Sequence, residues 1–106
     1  MFFARKPSIT PEQAAAAVAK REILLVDVRE PGELRRGHVR GAVNIPLGQL
    51  RARLHEVQTG RQVAFLCHSG ARSSRATGIA IKAGHDAVNV RGGVIAWTRA
   101  GLPLTR

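Results

Sequence analysis

Apolar and polar positions divide the chain into short segments of two kinds. Ile23-Leu24-Leu25-Val26-Asp27-Val28 is almost unbroken in its apolarity, and a run of this length reads as a strand covered on both faces. Gln62-Val63-Ala64-Phe65-Leu66-Cys67 predicts a second such strand. Ala42 to Ile45, stopped by Pro46, and Asp86 to Val90 predict two more. Other stretches carry the helical period. Thr10-Pro11-Glu12-Gln13 combines an N-cap hydroxyl, proline at the first helical position and glutamine three residues after the cap, which predicts a helix over 11–20. Leu47, Leu50, Leu54 and Val57 fall on one helical face, leaving Arg51 and Arg53 outward. Ala76, Ile79, Ala80 and Ala83 do the same within 73–83, with Gly84 as the C-cap. Pro31 to Arg36 predicts one or two helical turns ended by Gly37, and after Gly92-Gly93 a last short helix carries Val94 and Trp97.

Doubly covered strands that alternate with helices predict an α/β fold: a mostly parallel sheet of about five strands with helices on both faces. At 106 residues the chain has room for one such domain, spanning 1–106. Ligands of these sheets collect at the carboxyl ends of the strands. Two strand ends carry candidate chemistry, Asp27-Val28-Arg29 and the segment from Cys67 to Arg72.

The second is the richer. Cys67-His68-Ser69-Gly70-Ala71-Arg72-Ser73 runs from a strand into a helix, so successive backbone N–H groups can turn inward above the positive end of the helix dipole, and Gly70 permits the curvature. A thiol with a pKa near 8.5 is only about 3% ionised at pH 7, whereas a pKa of about 6.5 makes it roughly three-quarters thiolate. The nest and Arg72 are expected to supply that shift. A lone cysteine at a strand end is otherwise usually an inert packing residue; the glycine and arginine that follow it at fixed spacing are what change the reading.

Composition narrows the choice further. Cys67 is the one cysteine, so an internal disulfide and any zinc site needing two thiolates are excluded. The four histidines, His38, His55, His68 and His85, show no metal-ligand spacing, and neither a metal nor a cofactor is expected. No apolar run reaches membrane-spanning length, and the opening residues lack a secretory h-region; with a free thiol this points to the cytoplasm and to no membrane partner. The net charge of +10, from 17 Lys and Arg against 7 Asp and Glu, is compatible with a small anionic substrate, an acidic protein, an anionic membrane or nucleic acid, and equally with arginine-rich codon usage. Phe2, Phe3, Phe65 and Trp97 are the only aromatic residues, too few for a base-stacking platform, so no nucleic-acid partner is expected.

Cys67 followed by Arg72 across a four-residue loop resembles the active loop of the rhodanese superfamily. Leu25 to Arg29, Glu33 and the stretch from Gly37 to Pro46 are similar to its amino-terminal signature, and Gly92-Gly93 with Trp97 to its carboxyl-terminal one. The resemblance runs from about residue 8 to residue 103. It implies a sulfurtransferase in which Cys67 carries sulfur as a persulfide, His68, Ser69, Gly70 and Ala71 supply the cradle, and Arg72 orients the loop or meets an anionic donor. Phosphatases and arsenate reductases on this fold have five residues between cysteine and arginine, and mercaptopyruvate-using relatives lack the arginine, so the resemblance tilts the donor toward thiosulfate. Arg75, one turn into the helix, is a candidate contact for an anionic donor. Asp27 and Arg29 match residues near the family's active loop, but an ion-pair network of Asp27, Arg29 and Glu33 accounts for them as well. His38 and Asn44 are expected to shape the turn between Pro31 and Pro46 by hydrogen bonding, and His68 to point outward. The implied partners are a small anionic sulfur donor and a thiophilic acceptor, with an acidic acceptor protein as the alternative in a sulfur relay. An exposed activated thiol would also be open to overoxidation.

Overall fold

The computed structural model describes residues 6–57 and 60–106. Met1 to Arg5, which include Phe2, Phe3 and most of the opening stretch read above as lacking a leader, lie outside the described residues. Among the described residues five strands form one sheet: β1 (Ser8–Ile9), β2 (Ile23–Asp27), β3 (Val43–Asn44), β4 (Gln62–Leu66) and β5 (Ala87–Val90), in the order β1-β5-β4-β2-β3. All four neighbouring pairs are parallel. The helices are α1 (Pro11–Ala19), α2 (Pro31–Leu34), α3 (Leu50–Arg53), α4 (Ala71–Lys82) and α5 (Gly93–Arg99).

Alternation along the central strands sends side chains into two cores. Val63, Phe65 and Cys67 from β4 and its end join Val26, Leu50, Ala76 and Ala80 on one face. Ala64 and Leu66 join Leu25, Ala14, Val88 and Trp97 on the other. The sheet is therefore covered by α3 and α4 on one side and by α1 and α5 on the other, as the doubly apolar strands predict. No helix among the described residues is long and apolar enough to cross a membrane.

The predicted capping box is present: Gln13 N–H donates to Thr10 Oγ1 at 3.1 Å, and Thr10 N–H to Gln13 Oε1 at 2.9 Å. Three expectations change. Ser8–Ile9, not among the four strands read from the sequence, adds the fifth; two residues are too few to show a period. The helix expected over Leu47 to Val57 is a 3₁₀ turn at Leu47–Gln49, one α-turn at Leu50–Arg53 and a second 3₁₀ turn at Leu54–Glu56. The helix expected from Ser73 begins at Ala71, which puts Arg72 and Ser73 in its first turn.

Candidate active site

Cys67 follows β4 directly and stands under the N-terminus of α4. Its side chain belongs to the core packed beneath α4, and the residue is only 1% exposed. The exposed thiol expected from the sequence is thus corrected: the sulfur forms the floor of the loop, because the strand that carries it is covered on both faces. Gly70 N–H donates to Cys67 Sγ at 3.1 Å, and the Ser73 hydroxyl donates to the same sulfur at 3.2 Å. Gly70 holds φ +107°, a left-handed conformation that a side chain would strain.

Burial is the largest influence on the Cys67 thiol and pushes its pKa up. Hydrogen bonds from the Ser73 hydroxyl and from the N–H groups of Ser73, Gly70 and Ser69 together outweigh it, so the net shift is downward from the ordinary thiol value. Ser73 is fully buried and was not among the residues singled out in the sequence. Its signal was present: in the first turn of a helix the Cα–Cβ bond leans toward the N-terminus, and a hydroxyl there faces whatever sits below.

Arg72 interacts with Cys67 through its charge, in the direction of the expected push on the thiol, while its hydrogen bonds go elsewhere. Its guanidinium is committed to Glu33 of α2, with Nη1 to Oε1 at 2.6 Å and Nη2 to Oε2 at 2.9 Å. This forked pair holds the Glu33 carboxyl down at about 2, with Arg72 as the leading cause against the opposing effect of burial. Arg72 therefore ties the start of α4 to α2 through Glu33, while Ser73 and the N–H groups hydrogen-bond to the sulfur.

The expected network of Asp27, Arg29 and Glu33 is rearranged accordingly. Asp27 and Arg29, 1% and 3% exposed, form a buried pair in which Arg29 Nη2 meets Oδ2 at 2.8 Å and Nε lies 3.1 Å from both oxygens. Arg29 continues to the Gly37 carbonyl at 2.9 Å and reaches only the backbone carbonyl of Glu33, at 3.4 Å. The Glu33 carboxylate turns to Arg72 and also accepts the Glu30 N–H at 2.9 Å. Asn44 shapes the turn as expected, its amide donating to the carbonyls of Asp27 and Arg29 at 2.9 Å each. His38 does so through its backbone, which exchanges two 2.8 Å hydrogen bonds with Thr105, while its buried Nδ1 has no hydrogen-bond partner among the described residues.

The loop is clamped from a third side by α5. Val94 N–H donates to the Cys67 carbonyl at 2.8 Å and Ile95 N–H to that of His68 at 3.1 Å. Gly93 has φ +59°, and a Cβ there would stand 2.5 Å from both of those carbonyl oxygens. Gly93 is what lets a helix N-terminus come against the back of the loop, whereas a Cβ at Gly92 would stand 2.6 Å from that of Ala96 in α5. Asn89 of β5 adds a hydrogen bond to the Gly70 carbonyl at 3.3 Å.

His68 and Ser69 are exposed, and Ala71 opens the helix at the surface. Beside them lies an open cleft of about 550 Å³, lined by His68, Val94, Gly37, Leu104 and the arginine-bearing α2 segment with Arg36. Arg75 is exposed but lines a separate groove with Leu47, Gly48, Arg51 and Ile79, a lining that contains none of the loop residues from Cys67 to Arg72.

Fold and site together define a class: an α/β domain that presents a cysteine on an anion-cradling loop between a central strand and a helix. The chain belongs to the rhodanese-like family, whose domain model matches residues 10–100. It is 40% identical over 84 residues to a sulfurtransferase of Allochromatium vinosum, covering 78% of each chain. Among solved structures it is similar to a rhodanese-related protein from Thermoplasma volcanium, with a TM-score of 0.87 and 29% identity over 93% of this chain and 97% of that one. It is also similar to a thiosulfate sulfurtransferase from Pseudomonas aeruginosa, with a TM-score of 0.87 and 27% identity over 95% of this chain and 20% of that one.

Proposed function

We propose that this chain is a sulfurtransferase that moves a sulfane sulfur from thiosulfate, or a related donor, to a thiophilic acceptor through a persulfide on Cys67. The Cys67 thiolate attacks the sulfane sulfur, a new S–S bond forms, and sulfite departs with the electron pair of the old one. The outer sulfur carries the negative charge, which the N–H groups of the loop can hold. A thiophilic acceptor then attacks that outer sulfur, and Cys67 leaves as thiolate, its starting state.

The observation that carries this reading is the convergence of the Gly70 N–H and the Ser73 hydroxyl on Cys67 Sγ, at 3.1 and 3.2 Å, at the N-terminus of a twelve-residue helix. The same donors that favour a thiolate favour a persulfide anion. Thiosulfate as donor is supported by the four-residue loop closed by Arg72 and by the similarity to the Pseudomonas enzyme. A relay in which a protein accepts the sulfur is the second reading, favoured by the net charge of +10. The test is thiosulfate-to-cyanide transfer by the purified protein, with intact mass after thiosulfate and Cys67→Ala as control. Turnover with a gain of one sulfur in mass, both lost in the variant, is expected. A protein that neither gains sulfur nor turns over would refute the thiosulfate enzyme.

A further inference from the structure

From the groove between α4 and the segment 47–51 we infer that this face docks an acidic segment of a sulfur-accepting protein, an inference that rests on the persulfide chemistry above. Arg51 and Arg75 are both exposed, neither has a partner in a hydrogen bond or ion pair among the described residues, and both line one groove of about 330 Å³ walled by Leu47 and Ile79. Other arginines show that pairing is available on this surface: Arg53 is bound by Glu56, and Arg72 by Glu33. Two guanidinium groups lining one groove add to a positive potential there, which favours an anionic occupant.

Location gives the groove its meaning. Leu47 N–H is bonded to the Val28 carbonyl just beyond β2, and Arg75 lies one turn into the helix that starts beside Cys67, so the groove opens at the carboxyl edge of the sheet, where the thiol is. Arg75 is only four residues past Ala71, roughly 6 Å along the helix axis. A small donor is a poor occupant. The groove is open, its cations are solvated, and the N–H cradle that suits a small anion faces Cys67 instead. Carboxylates spaced along a chain, with apolar atoms against Leu47 and Ile79, match it better. Nucleic acid is disfavoured because the lining contains no aromatic side chain on which a base could stack.

Exposed charge pairs of this kind act chiefly by steering encounter, so the effect belongs in the rate of transfer and in its salt dependence. The experiment loads Cys67 with thiosulfate and follows discharge to two synthetic peptides that each carry one cysteine. One contains a run of aspartate and glutamate; in the other these are serine and glutamine. The acidic peptide is expected to discharge the persulfide about tenfold faster at low salt, an advantage that fades as salt rises. Arg51→Glu, or Arg51→Gln should the charge reversal impair folding, should remove most of that advantage and leave discharge to cyanide unchanged. Equal rates for the two peptides, or an advantage that survives in the Arg51→Glu, Arg75→Glu double variant, would overturn the proposal. So would displacement of the acidic peptide by an oligonucleotide of equal charge at lower concentration. If thiosulfate fails to load Cys67, it is the thiosulfate-enzyme reading that fails. Fluorescence anisotropy of the labelled acidic peptide on the unloaded protein then decides the groove by itself: binding lost in Arg51→Glu upholds it, and no binding overturns it.

Discussion

At the scale of single residues the site turns on who donates to one sulfur. Ser73 supplies the leading favourable interaction with Cys67, ahead of the three N–H groups. Ser73→Ala removes the hydroxyl while leaving the loop backbone in place, so the thiol should titrate closer to its ordinary value. A hydrogen bond to a charged group contributes about 1.5–3 kcal/mol, and a loss at the low end lowers a rate that needs the thiolate roughly tenfold wherever the pH lies below the pKa of the thiol. The pH dependence of iodoacetamide alkylation measures this directly: the midpoint should move up in Ser73→Ala, and an unchanged midpoint would show that the N–H groups suffice. Glu33 offers a second test, with the same sign of proton linkage but in a different pH range. Its carboxyl is held at about 2 in the folded protein against 4.5 ordinarily, so its contribution to stability is fully present above pH 4.5 and is lost as pH falls through about 2. Its side chain is 36% exposed, which screens the pair and limits that contribution to about 1 kcal/mol or less. Denaturant melts should show Glu33→Gln less stable than the parent at pH 7, and the two converging as pH falls from 4.5 toward 2.

At the scale of elements, the loop is a junction held by three neighbours: α2 through Glu33 and Arg72, α5 through the N–H groups of Val94 and Ile95, and β5 through Asn89. Gly93 is where this junction is tightest. Gly93→Ala combines positive φ with a Cβ 2.5 Å from two carbonyl oxygens. A strained backbone of this kind costs about 1–3 kcal/mol before any clash is relieved. A domain of this size loses about 4–8 °C in Tm per kcal/mol, so calorimetry should record a clear drop. Sulfur transfer should fall further than stability explains, because relief of the clash displaces the carbonyls of Cys67 and His68. The elements were largely legible in the sequence. β2 and β4 announce themselves by unbroken apolarity, α1 by its capping box, and the loop by Cys67, Gly70 and Arg72. Illegible were the contacts that only the fold creates. Ser8–Ile9 gains its strand from β5, the Glu33 carboxylate chooses Arg72 over Arg29, and Gly93 reveals its purpose only when the loop is seen packed on α5.

At the scale of the whole molecule, the chain departs from the sheet after β2 and returns only at β3, and this excursion from Val28 to Ala42 forms one wall of the cleft beside the loop. One buried ion pair governs it. Asp27 sits at the end of β2, and Arg29 spans from its carboxylate to the Gly37 carbonyl, near the middle of the excursion. The backbone beyond Gly37 is in turn bridged through His38 to Thr105. The two halves of Arg29's role can be separated. Removing one member of a buried pair leaves an uncompensated charge and costs about 3–5 kcal/mol, so Asp27→Ala should lower Tm sharply. Replacing both members with apolar residues removes the charge problem and is often neutral where pairing is all that matters. Here the Asp27→Leu, Arg29→Leu double variant should recover only part of the loss, because the Gly37 carbonyl is left without the guanidinium that satisfied it. Full recovery of Tm would mean that Arg29 serves Asp27 alone. Partial recovery, with cyanide turnover still depressed, would show that the pair carries the position of the cleft wall, and through Glu33 and Arg72 the position of the loop.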